Sequence, residues 1–133
     1  MGERAAFRRL YKETSNDTEG EAAGLAFRAS QVDHVPGLEC FAYRVRLGQK
    51  SLVFSGDARL CDALLELASG ASVLVLECSC AGEPVHLSPS DIAAIAGRAG
   101  PQAQTIVTHL DAAEHPEEFR GLHVASDLAH FSF

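Results

Sequence analysis

Hydrophobic and polar positions change rhythm several times along this chain. From Leu25, "LAFRASQV" alternates apolar and polar residues, as a strand with one buried face does. "CFAYRVRL" alternates again, with Phe41, Tyr43 and Val45 on one side and Arg44 and Arg46 on the other. "GQK" then reads as a tight turn into "SLVFS", which makes the pair a hairpin. The period lengthens in "LCDALLELAS", where Leu60, Leu64, Leu65, Leu67 and Ala68 recur at helical spacing and Gly70 offers a stop. "SVLVLEC" is a continuous apolar run, the pattern of a strand covered on both faces.

"SPSDIAAIAGRAG" returns to helical spacing, with Ser88 or Ser90 as the cap, Pro89 in the first turn and Gly100 at the end. "QTIVTH" predicts a third buried strand, "HPEEFR" a helical turn, "GLHVAS" a strand and "LAHFSF" a final one. This alternation predicts an α/β layer of about five to seven strands with two principal helices, near Cys61–Ser69 and Pro89–Ala99. Residues 1–24 are polar and carry no such rhythm. Their first dozen suit a short helix, "ETSNDTEGE" is expected as loop or disorder, and 25–133 is expected as the folded domain.

Composition narrows the function. The 133 residues suit one domain, 47% are hydrophobic, and the net charge of -7 argues against a standing basic surface for nucleic-acid backbones. No window approaches the roughly 18 apolar residues of a membrane span. "MGERAAFRRLYKE" lacks the apolar core of a signal peptide, so a cytoplasmic protein with reduced thiols is expected.

The chemistry lies where strands end. Ligands gather at the carboxyl ends of strands in such sheets. Asp57 follows "LVFSG", Glu77 follows "VLVL", His109 follows "TIVT", and His86 precedes the second helix. Carboxylate and imidazole are the donor types suited to zinc or manganese. Each also has a plain structural use: Asp57 as a turn residue, Glu77 as a paired acid, His86 as a cap, His109 as a core histidine. Cys78 and Cys80, two apart with His86 nearby, are a thiolate alternative, although small apolar fillers are the simpler use.

In their order, "LVFSGDARLCDALLELASGASVLVLECS", "HLSPSDIAAIAGRAG" and "TIVTHL" resemble the C-terminal half of the metallo-β-lactamase superfamily in its ribonuclease Z-like branch, over roughly residues 25–126. The resemblance implies half of an αββα sandwich with a mixed sheet. It also implies Asp57 and His109 as metal ligands, His86 as a proton donor or charge stabiliser near a scissile phosphodiester, and Glu77 as the acid orienting His86. Ala58 stands where the family usually has Thr, at a position that is not a ligand.

The family's His-x-His-x-Asp-His is absent. Asp33 and His34, in "DHVPGL", are the alternative for a decayed form of it, but only 22 residues separate His34 from Asp57. Two ligands make a weak metal site, so the chain alone is expected to be poorly active or inactive. Half a sandwich also leaves an apolar face exposed, which predicts a homo-oligomer or a complementary N-terminal half as partner. The alternative to a hydrolase is a non-catalytic interaction or dimerisation module on the same scaffold.

Overall fold

The computed structural model describes residues 13–110 and 117–133; the helix expected over the first dozen residues and the stretch around His115 lie outside these. One seven-stranded sheet runs in sequence order: β1 (Thr18–Ala22), β2 (Leu25–Val32), β3 (Cys40–Leu47), β4 (Lys50–Phe54), β5 (Val73–Glu77), β6 (Gln104–Thr108) and β7 (His123–Val124). The first four strands pair antiparallel, and β4 through β7 pair parallel. Helix α1 (Asp62–Ala68) crosses from β4 to β5, and α2 (Pro89–Ala99) from β5 to β6.

Both helices lie on one face. Leu64, Leu67, Ile92 and Ile95 bury themselves against Val53, Leu74, Leu76 and Val107, which form one apolar cluster. Helix α2 starts at a capping box: the Ser88 hydroxyl accepts the Asp91 N–H, and the Asp91 carboxylate accepts the Ser88 N–H.

Helix α1 ends differently. The Arg44 guanidinium, reaching across from β3, donates to the carbonyls of Leu67 (3.0 Å) and Ser69 (2.7 Å) and to the Ser51 hydroxyl (2.8 Å). A cation on the last carbonyls of a helix satisfies groups that have no helical partner. Replacing Arg44 with alanine is expected to lower stability by about 2 kcal/mol, with lysine a poor substitute because a single ammonium cannot span these acceptors. Urea denaturation of the two variants measures this.

Among the described residues the opposite face carries no helix. Phe27 faces Val45, Val45 faces Leu52, and Tyr43 faces Phe54 across the strands. Phe54 is 45% exposed, and a hollow of about 350 Å³ opens beside Leu25, Val45, Leu52 and Phe133. The covering of "SVLVLEC" on both faces is therefore incomplete: Leu74 and Leu76 are sealed under the helices, whereas Val75 on the open face is half-buried.

Two expectations at the ends of the chain need correction. Part of "ETSNDTEGE" is a strand: β1 pairs with β2 through a two-residue turn, Ala23–Gly24, whose φ values of 51° and 78° match the hairpin twist. Its apolar rhythm is missing because it is an edge strand with little to bury. "LAHFSF" forms no strand. Phe131 instead packs its ring against His123 (5.5 Å) and Phe133 (6.4 Å), so this tail makes side-chain contacts rather than ladder bonds.

Candidate active site at the carboxyl ends of the strands

Because β4, β5 and β6 are parallel neighbours, their carboxyl ends share one rim. After β4 the chain turns through Ser55, Gly56 and Asp57. Gly56 has φ +58°, and a Cβ there would crowd the Phe41 carbonyl oxygen at 3.3 Å, so a side chain at this turn would be strained. Ser55 is fully buried, and its hydroxyl accepts the Glu77 N–H at 3.1 Å. The "SGD" turn is thereby tied to the end of β5.

After β6, His109 takes φ 58°, a conformation few residues other than glycine adopt. Its Nδ1 lies 3.0 Å from Asp57 Oδ1, and both side chains remain open to solvent. Glu77 lies beneath, only 3% exposed. Its Oε1 accepts the N–H groups of Ala58 (3.0 Å) and Leu87 (3.2 Å) and meets His86 Nδ1 at 3.0 Å. Its Oε2 is buried with no hydrogen-bond partner among the described residues. One carboxylate oxygen thus gathers the loop after Asp57 and the loop before α2. Position 58, where the family usually has Thr, acts here through its backbone.

His86 and His109 face each other with ring centroids 5.4 Å apart. A third imidazole joins them: His34 lies 5.0 Å from His86, edge to face. The signal for His34 was its place two residues beyond the last residue of β2. Both β2 and β4 run antiparallel to β3, so they end at the same rim. The Asp33 carbonyl accepts the Arg59 N–H at 2.6 Å, while the Asp33 side chain lines a cleft of about 520 Å³ with Arg59 and His86.

Burial disfavours charge on His86, but the Glu77 hydrogen bond outweighs it, with help from the charges of Glu77, Asp57 and Glu83, so the pKa is raised above 6.5. The fold therefore favours imidazolium. This contribution to stability is present below pH 6.5 and fades as pH rises through the raised midpoint. A proton-resonance titration is expected to put the His86 midpoint above 6.5 and to find it lowered in Glu77→Gln.

The metal expectation meets a limit. Among the described residues no group of three or more His, Cys, Asp or Glu side chains is disposed to hold a metal ion. Asp57 and His109 are a pair turned toward each other. By themselves the residues present do not fit the zinc or manganese ion the resemblance implies. The thiolate alternative fares no better, since Cys78 and Cys80 follow β5 rather than lying on it and Cys78 is buried in the core. None of the four cysteines is in a disulfide. Among the described residues no helix is long and apolar enough to cross a membrane.

No protein-family model matches the chain. A protein of Mycobacterium leprae, described only as uncharacterized, is 43% identical over 68 residues, covering 45% of this chain and 22% of that protein. Solved structures reach further. The metallo-beta-lactamase fold protein YhfI of Bacillus subtilis is 19% identical with a TM-score of 0.71, over 84% of this chain and 50% of that one. The short form of human tRNase Z is 18% identical with a TM-score of 0.62, over 85% and 45%. A diphosphatase of the PhnP family is 22% identical with a TM-score of 0.63, over 90% and 47%. The chain thus spans about half the length of these solved proteins and under a quarter of that mycobacterial relative. Among the described residues, this sheet with its two helices on one face and an uncovered apolar face makes up one half of a metallo-β-lactamase fold.

Proposed function

We propose that this chain is the half of a phosphodiester hydrolase that supplies the proton donor and part of the ion-binding rim. The observation that carries the reading is the meeting of two acid–imidazole pairs, Asp57–His109 and Glu77–His86, with their rings 5.4 Å apart on one rim. The tRNase Z and the diphosphatase among the similar structures favour a phosphoester substrate.

The residues of this chain divide the work. Glu77 accepts the Nδ1–H of His86 and fixes the ring, and Nε2 lies 3.5 Å from Glu83 Oε2 beside the cleft these two residues share with Ser79 and His109. The raised pKa favours the protonated ring, the form a group donating a proton to a departing oxygen requires. Asp57 and His109 present an anionic oxygen and an imidazole at the same rim. With further donors from a complementary half bearing His-x-His-x-Asp-His, Asp57 and His109 would help hold a zinc or manganese ion, which would neutralise phosphoryl charge. The bare apolar face around Phe27, Tyr43, Val45 and Phe54 is the surface on which that half packs.

The test mixes the chain with such a half and assays a generic phosphodiester with divalent metal. The chain alone is expected to give background hydrolysis and the complex to turn over. A complex that forms and stays inactive would refute the reading. It would favour the interaction module instead, which the lack of any three-donor metal group among the described residues supports.

A further inference from the structure

We infer that Glu83 is a gate on His86: its carboxylate covers Nε2 in the free chain and swings to Arg59 when an anionic group takes its place. This deepens the proposed function and rests on it, because Nε2 needs clearing only if His86 donates a proton there.

His86 lies between two acids of different character. On one side Glu77 Oε1 meets Nδ1 at 3.0 Å. Glu77 is only 3% exposed, and the same oxygen holds the Ala58 and Leu87 N–H groups. That acid cannot move without stranding buried donors. On the other side Glu83 Oε2 lies 3.5 Å from Nε2, and the Glu83 side chain is 57% exposed. An ion pair this open to water is weak and gives way readily. Facing a carboxylate on each side, the ring carries a proton on both nitrogens, since a bare nitrogen would point its lone pair at an anion.

The local sequence sets the contact. The His86 N–H donates to the Glu83 carbonyl at 3.2 Å, which closes a turn over Glu83, Pro84, Val85 and His86. Proline suits the second position of such a turn because its ring presets φ. The turn brings Glu83 back to the imidazole three residues on.

Two clefts meet at this point. Glu83 and His86 line the cleft of about 240 Å³ that includes Ser79 and His109 at the rim, and also the one of about 520 Å³ that includes Arg59. A phosphodiester at the rim brings negative charge to the first cleft. There the Glu83 carboxylate repels it and occupies the nitrogen that would protonate a departing oxygen. The second cleft offers the carboxylate another seat. Arg59 is exposed, and among the described residues its guanidinium has no ion pair. A guanidinium can take a carboxylate by two parallel hydrogen bonds.

The experiment titrates the whole chain with inorganic phosphate and follows the ring signals of His86 and His109 by proton–nitrogen correlation spectroscopy. Glu83→Gln keeps the size of the side chain and removes its charge. It is expected to bind phosphate about three- to fivefold more tightly than wild type, the range an exposed ion pair allows. Arg59→Ala removes the second seat and is expected to weaken binding by a similar factor. In the double variant the Arg59 effect is expected to vanish, since no carboxylate is left to receive. A folded Glu83→Gln whose His86 signals ignore phosphate, or report binding no tighter than wild type, would overturn the inference. An Arg59 effect that persists without Glu83 would also overturn it, by showing that Arg59 holds the anion itself. None of these readings depends on turnover. An inactive reconstituted complex whose chain shows the expected phosphate response would refute the hydrolase reading while supporting the gate.

Discussion

Replacing Glu77 with alanine is expected to lower the stability of the chain by about 3 to 5 kcal/mol, more than any other single change at the rim. Three groups depend on one oxygen: the Ala58 N–H, the Leu87 N–H and His86 Nδ1. Removing it strands two buried backbone donors, each costing about 1 to 3 kcal/mol, and leaves a void under the site. The loss of a buried charge with one unpartnered oxygen offsets part of this. Glu77→Gln keeps an acceptor near the same place and is expected to cost less than half as much. Urea denaturation decides the matter: an alanine variant with the wild-type midpoint would show that the two loops are held by other contacts. The glutamine variant separates stability from proton chemistry, because it keeps the loops together while withdrawing the charge that favours imidazolium on His86.

In the reconstituted complex, Asp57→Ala and His109→Ala are each expected to reduce turnover about a thousandfold, the equivalent of roughly 4 kcal/mol in the barrier. The double variant is expected to be little worse than either single one. The two side chains contact each other at 3.0 Å, and residues that act as a unit lose most of their effect with the first deletion. Additive losses would show that Asp57 and His109 act separately. His86→Ala is a different case, since it removes a proton donor rather than the rim pair. A loss of about a hundredfold to ten-thousandfold is expected there, least severe for substrates with good leaving groups. Steady-state kinetics on a pair of phosphodiesters that differ in leaving group measures both effects.

The local rhythm of the chain carried much of the fold. Helix α2 occupies Pro89–Ala99 because Pro89, the Ser88 cap and Gly100 all act within a few residues of the elements they bound. The "GQK" hairpin and the three strand ends at Asp57, Glu77 and His109 were legible for the same reason. The edge hairpin at Thr18–Ala22 was not, because an edge strand that buries little leaves no alternation to read. Nor was the fate of "LAHFSF", whose aromatic residues satisfy the strand pattern and the side-chain cluster equally well.

The candidate site divides along the same line. Residue types and their positions at strand ends pointed to Asp57, Glu77, His86 and His109 from the sequence. Contacts between residues far apart in sequence did the rest. The bond from His34 to Val85 spans 51 positions, that from His109 to Asp57 spans 52, and Arg44 reaches the end of α1 from 23 positions away. Such contacts depend on which strands lie beside each other and in what register, and a change of one residue in register sends every side chain of a strand to the other face. The sequence by itself determined the elements, their order and the chemical groups at their ends, since these follow from local periodicity and capping. Only the tertiary structure decided that β2 and β4, on either side of β3, end at one rim, that three imidazoles meet there and that among the described residues no helix covers the other face of the sheet, because each is a property of strand neighbours and not of any strand alone.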